Sequence, residues 1–201
     1  VPSPPVVGAV LAGGLSSRLG HDKALIRLKN NESVDLLGNT AAMLHAVTGS
    51  VFIVGRESRS DFPSVKDRTP GLGPVGGIAT ALHHAGGAAC FVLSCDLPFM
   101  NAELLQRLLL KRNERPAPTL MTAYQQEDTG HIESLVSIFE PGALPFFEQC
   151  LEANRLKVTK TVPPEAQFLI PYSLEESLPF FNINYPADLE LARRLLTQGA
   201  L

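Results

Sequence analysis

An apolar run, Val6 to Val10, empties into Leu11-Ala-Gly-Gly-Leu-Ser-Ser-Arg-Leu-Gly-His-Asp-Lys23, and a second apolar stretch, Ala24-Leu25-Ile26, follows. A hydrophobic strand that ends in a glycine-rich loop carrying an Arg and a Lys suggests a phosphate cradle. Glycines without Cβ atoms let backbone N–H groups approach a polyphosphate closely, and the two cations neutralise charge that the loop alone cannot. A strand of this kind is apolar throughout rather than alternating, so both of its faces must be covered.

Three further runs share that continuous pattern: Val51–Val54, Phe91–Ser94 and Leu120–Ala123. Helical segments are expected between them. Ala102–Lys111 carries Leu104, Leu105, Leu108 and Leu109 on one stripe, with Asn101 placed to cap it. Val75–Ala85 follows a Gly-Pro turn, a shorter helix occupies part of Val34–Ala46, and a last one starts with Pro186 in its first turn. Strands alternating with helices predict a three-layer α/β/α sandwich around a mainly parallel, Rossmann-like sheet, with Ser134–Phe139 as an added antiparallel strand. Arg112–Pro118 and Thr161–Gln167 read as loops within one core rather than linkers, so residues 1–201 are expected to form a single domain. In such sheets ligands collect outside the carboxyl ends of the strands. That rule selects Gly13–Lys23, the neighbourhood of Arg56, and Asp96-Leu97-Pro98.

Charge narrows the function classes. Seventeen basic and twenty acidic residues leave a formal charge of −3, with no basic excess for a nucleic-acid backbone. One nucleotide needs only a few local cations. Three cysteines without a Cys-x-x-Cys pair read as reduced thiols of a cytoplasmic protein, and no apolar run reaches membrane-spanning length.

The first loop is neither a Walker loop nor Gly-x-Gly-x-x-Gly, since Gly20 is followed by His21, Asp22 and only then Lys23. Gly71-Leu-Gly-Pro-Val-Gly76 does match the dinucleotide fingerprint, with Asp96 further on. The fingerprint requires a strand immediately before the glycines, and Val65–Pro70 is polar and ends in proline. A tight turn opening a helix at Gly76-Gly77, its end turned toward a ligand phosphate, fits better. Asp96 ends an apolar run, where a carboxylate can hold Mg²⁺ or cap the helix near Asn101; beside a phosphate loop on the same rim, the metal role is the stronger reading. Asn182-Ile-Asn184 places two amides on one side of an extended segment, either as ligand contacts or as turn residues before Pro186. The histidines show no ligand spacing, and neither a nucleophile elbow nor a triad is present.

These motifs together resemble the molybdenum cofactor guanylyltransferase (MobA) family, of the nucleotide-diphospho-sugar transferase-like fold. The resemblance rests on Leu11–Lys23, Gly73-Pro-Val-Gly-Gly77, Cys95-Asp-Leu-Pro-Phe99 and Asn182-Ile-Asn-Tyr-Pro-Ala-Asp-Leu189, in that order along nearly the whole chain. Related enzymes usually read Leu-Ala-Ala-Gly in the first motif, so Gly13 leans toward a guanine nucleotide. The family implies transfer of GMP from GTP to the terminal phosphate of molybdopterin, releasing pyrophosphate. It places Leu11, Ala12, Gly13, Gly14, Ser16, Asp67 and Gly76 at the nucleotide. Arg18, Lys23 and Asp96 become the catalytic set, Asp96 and Asn184 the Mg²⁺ ligands, and Asn182 and Asn184 the acceptor contacts. A handover of the cofactor by another protein of the molybdenum-cofactor pathway accords with an oxidisable pterin.

The sequence departs from the family at Lys29–Ser33, at Val54-Gly55-Arg56 where many members carry Asn, and at His131-Ile-Glu-Ser in place of His-Pro. The departures fall on segments that read base and acceptor. Rival readings are CMP transfer to molybdopterin, GMP transfer to a cobinamide or sugar phosphate, and a nucleotide-binding module without turnover.

Overall fold

The computed structural model describes residues 3–13, 23–28, 35–56 and 62–197. Its strands are β1 (Val6–Leu11), β2 (Val51–Val54), β3 (Ser64–Val65), β4 (Ala89–Ser94), β5 (Met121–Gln126), β6 (Ile132–Phe139) and β7 (Gln167–Tyr172). Its α-helices are α1 (Leu36–Thr48), α2 (Gly73–His84), α3 (Ala102–Arg112), α4 (Leu144–Glu152) and α5 (Pro186–Thr197). All seven strands form one sheet in the order β3-β2-β1-β4-β6-β5-β7. Only β6 runs against the others, pairing antiparallel with β4 and β5. The architecture is the α/β sandwich that the alternating runs predict, antiparallel strand included.

Strand alternation sends side chains into two apolar layers. Val10, Ile53, Phe91 and Leu93 pack on one face with Leu44 of α1 and Leu105 and Leu108 of α3. Ala9, Leu11, Phe52, Val54 and Val92 pack on the other with Ile78 and Leu82 of α2 and Phe147 of α4. Side chains as large as Phe91, Phe139 and Phe147 are fully buried, each worth about 1.5–3 kcal/mol relative to exposure. A smaller cluster of Ile26, Leu36, Phe99, Ile183 and Ala192 seats α5.

Helix starts follow their capping chemistry. Asp35 accepts from Gly38 N–H at 2.8 Å to open α1, and Asn101 accepts from Leu104 N–H at 3.0 Å to open α3, as its position predicts. Three elements escape the sequence reading, the two-residue strand β3 among them. Pro171 interrupts the run that becomes β7, and a proline is tolerated there because β7 is an edge strand. Helix α4 carries Pro145 in its first turn, a position that keeps a proline harmless.

Candidate active site

The parallel register fixes the rim. Leu11 pairs with Val54 on one side and with Ser94 on the other, so β1, β2 and β4 end side by side. Ala12 N–H donates to Val54 C=O at 3.0 Å and Gly55 N–H to Val65 C=O at 2.9 Å, which carries the pairing two strands outward past the formal strand ends. The loop that follows Leu11 and the residues that follow Ser94 therefore leave the sheet at the same edge.

Three glycines crowd around one carboxylate on that edge. A Cβ at Gly13 would fall 3.0 Å from Asp67 Oδ2, one at Gly55 3.2 Å from the same oxygen, and one at Gly77 3.9 Å from Oδ1. Asp67 Oδ1 is buried and has no hydrogen-bond partner, and burial raises the carboxyl's pKa above its usual value of 3.8. A buried acceptor left unpaired costs about 1–3 kcal/mol, so this oxygen is an unmet demand for an N–H or O–H donor.

Across β1 stands Asp96, half-buried two residues beyond β4. Its Oδ1 accepts from Ser94 Oγ at 2.6 Å, which orients the carboxylate. Its backbone carbonyl accepts from Ile183 N–H at 3.0 Å. Asp188 Oδ2 in turn accepts from the backbone N–H groups of Asn184 (2.8 Å) and Tyr185 (2.7 Å), and Ile183 is fully buried. The Asn182–Asn184 segment is thus held between α5 and the metal-candidate aspartate, although Asn182 lies 86 positions beyond Asp96 in the sequence. Asn182 Oδ1 is buried without a partner. It lines a pocket of about 360 Å³ together with Pro74, Ser94, Leu97, Glu133 and Phe180.

Several expected residues gather here and others do not. Leu11, Ala12, Gly13 and Asp67 lie on one side of the rim, and the Asn182–Asn184 segment meets Asp96 on the other through Ile183. Gly14, Ser16 and Arg18 lie outside the described residues. Lys23 opens a short 3-10 turn whose next residue, Ala24, is buried in the core layer that also holds Leu44 of α1 and Leu105 of α3. Gly76 turns away: its N–H bonds Leu72 C=O at 3.3 Å, and it lines a separate cleft with Thr80, His83 and Glu148. The glycine that α2 presents to Leu11 and Asp67 is Gly77, because α2 begins at Gly73 rather than at Gly76. Sequence reasoning also misses Gly55 and Ser94 as site residues. The departure noted at Val54-Gly55-Arg56 is the one signal pointing to the first, and none points to Ser94.

Comparison with known proteins bears on this geometry. The family profile described as MobA-like NTP transferase domain matches residues 8–162. The chain belongs to this family. As such it is a nucleotidyltransferase. It is 32% identical to a probable molybdenum cofactor guanylyltransferase of Carboxydothermus hydrogenoformans, over 90% of this chain and 92% of that one. It is 31% identical to the equivalent protein of Pelotomaculum thermopropionicum, over 92% and 91% of the two chains. In fold it is similar to the molybdopterin-guanine dinucleotide biosynthesis protein A of Archaeoglobus fulgidus, with a TM-score of 0.76, 24% identity and coverage of 95% and 98%. A CMP:2-keto-3-deoxy-manno-octonic acid synthetase in complex with CTP shares the fold at a TM-score of 0.72 and 13% identity, over 97% and 99%. No described helix is long and apolar enough to cross a membrane.

Proposed function

We propose that the chain transfers GMP from GTP to the terminal phosphate of molybdopterin in the cytoplasm, with release of pyrophosphate. The observation that carries this reading is the position of Asp96, on one rim between the glycine-walled carboxylate Asp67 and the pocket of Asn182. Guanine presents a ring N–H and an amino group on one edge, two donors for an orphaned acceptor, whereas cytosine and adenine each offer one amino group there. The backbone at Leu11 to Gly14 would follow the nucleotide, and Arg18 and Lys23 would neutralise charge on the triphosphate as pyrophosphate departs.

Among the described residues no group of three or more His, Cys, Asp or Glu side chains could cage a metal by itself. Asp96, oriented by Ser94 and with the backbone of Ile183 bonded to its carbonyl, would supply with Asn184 the small oxygen donor set that Mg²⁺ uses when phosphates and water complete its shell. Those two residues would hold the ion, which supplies charge neutralisation and alignment of phosphate oxygens when bound. The acceptor phosphate is an anion near neutral pH, its second pKa being about 6, so no side chain has to remove a proton. The protein's task is placement: Asn182 at the acceptor, Asp67 at the base, and the glycine walls excluding side chains from the space between.

Calorimetric titration with GTP, CTP and ATP in the presence of Mg²⁺ tests the base, and pyrophosphate release with molybdopterin tests the acceptor. GTP is expected to bind at least tenfold more tightly than the others, since a site with hydrogen bonds to charged groups discriminates by about 1.5–3 kcal/mol. Equal binding of CTP, or pyrophosphate release only with a different acceptor, would overturn the assignment.

A further inference from the structure

The pocket beside Asn182 has a second polar feature that the transfer reaction does not use. Between Ala123↔Ser137 and Gln125↔Ile132 the register of β5 and β6 jumps, so β6 inserts extra residues there. The inserted stretch, Glu133 to Val136, forms one wall of the 360 Å³ pocket shared with Ser94 and Asn182. Bulges beside sites re-aim side chains that a regular strand would point elsewhere. Glu133 is the charged residue of that stretch, and its side chain is 15% exposed.

Its orientation is fixed from behind. Tyr172 Oη donates to Glu133 Oε1 at 2.6 Å, and Tyr172 is itself 3% exposed and packed against Phe180 with ring centroids 4.4 Å apart. The His131 ring stands 3.8 Å from Oε2. Burial raises the pKa of the Glu133 carboxyl, while the Tyr172 hydroxyl and His131 oppose that rise. One neutral hydroxyl donor leaves most of a carboxylate's acceptor capacity unused, and a carboxylate offers about four lone-pair sites. Leu97, Ile132, Leu156, Val158 and Phe180 give the pocket apolar walls, and Lys157 is the other charged residue in its lining. Such walls suit a flat heterocycle with a hydrogen-bonding edge.

We propose that Glu133 is the residue that selects the acceptor: its carboxylate receives the ring N–H and the adjacent 2-amino group of a 2-amino-4-oxopteridine seated in this pocket. This rests on the acceptor assignment above and adds to it the group that reads the pterin. Asn182 and Asp96 lie toward the phosphate end of such an acceptor, and Glu133 toward its ring.

The test compares wild type with Glu133→Gln, which keeps an oxygen for the Tyr172 hydroxyl but removes the charge and presents a donor. With molybdopterin as acceptor, the variant is expected to raise the acceptor KM roughly tenfold to a hundredfold, with the GTP KM and the melting temperature unchanged. Inhibition of wild type by free 2-amino-4-oxopteridine is expected to exceed inhibition by its 2,4-dioxo analogue about tenfold, and the variant to lose that preference. An unchanged acceptor KM in the variant, or a wild type that does not distinguish the two pteridines, overturns the role of Glu133 while guanylyl transfer stands. Failure of wild type to transfer GMP to molybdopterin removes the acceptor assignment and this inference with it.

Discussion

The two ends of the sheet treat polar groups in opposite ways. At the end where β4 begins and β6 finishes, Arg112 Nε donates to Glu140 Oε1 at 2.6 Å, and its Nη2 donates to Glu140 Oε2 at 2.8 Å and to Pro4 C=O at 3.0 Å. Arg115 closes the group, with Nε 3.2 Å from Glu140 Oε1 and Nη1 donating to Arg112 C=O at 2.7 Å. The Arg112 and Glu140 side chains are 3% and 7% exposed. At the other end, Asp67 and Asn182 each bury an oxygen that no protein group satisfies. The same fold saturates a buried charge at one end, so the unsatisfied atoms on the opposite rim are a property of that rim. The third unpaired atom among the described residues, Thr122 Oγ1, lies inside the sheet on β5. A buried polar group is a stability device where the chain completes it and a binding device where the chain leaves it to a ligand.

The largest effects are expected from one substitution at each end, and they should separate cleanly. Arg112→Ala leaves Glu140 buried and unpaired, so it is expected to lower folding stability by about 3–5 kcal/mol. The GTP KM of the protein that remains folded should stay at the wild-type value. Asp96→Ala is expected to lower turnover about a hundredfold to a thousandfold while the denaturation midpoint stays within error of wild type. Urea unfolding and pyrophosphate-release kinetics on both variants check the pair. A rate defect in Arg112→Ala at temperatures where it is folded, or a large stability loss in Asp96→Ala, would erase the division between the two ends.

Two glycines sharpen the contrast at intermediate size. Gly55 has φ +92°, and a Cβ there would lie 2.5 Å from Gly13 Cα and 2.7 Å from Gly13 N. Gly49, at the end of α1, has φ +74° and open space around it. Both positions disfavour a side chain through backbone conformation, by about 1–2 kcal/mol. Only Gly55 adds a collision with the backbone that starts the nucleotide loop. Gly55→Ala is therefore expected to destabilise by about 2–4 kcal/mol and to weaken GTP binding, and Gly49→Ala by the smaller amount with GTP binding intact. Thermal melts with and without GTP measure both quantities.

The difference between the two sides of Asp96 also explains what could be read from the chain. The proposed nucleotide side is built from backbone running straight out of parallel strands, so Leu11–Gly13 and Asp96 are visible as apolar runs ending in particular residues. Asp67 is visible only through the family resemblance, because it follows a strand of two residues. Gly77 replaces Gly76 because a helix that begins two or three residues earlier turns a different face to the site. The proposed acceptor side depends on side chains of β6, backed by Tyr172 of β7. Pro171 hides β7, and the irregularity that exposes Glu133 has no periodicity of its own. Neither the Arg112–Glu140 pair nor the Tyr172–Glu133 bond is legible, since each joins residues remote in sequence.

The smallest effect is the most discriminating, because its two parts have opposite signs. Burial raises the Asp67 pKa above 3.8, so the folded chain binds that proton more tightly than the unfolded chain does. The stability this confers is present at low pH and is lost as pH rises past 3.8 and through the raised folded value. An amide at this position does not titrate and carries no such loss. Unliganded Asp67→Asn is therefore expected to melt slightly higher than wild type at neutral pH, with the gain fading as pH falls through the raised folded value and gone below 3.8. The same change removes the charge that receives the nucleotide's donors, and GTP affinity should fall roughly tenfold. A gain in melting temperature without loss of GTP affinity would make Asp67 a mere packing fault. A loss of both would place it with Arg112 among the structural charges. Only the crossed result identifies an acceptor that the folded chain holds at a cost for a ligand to satisfy.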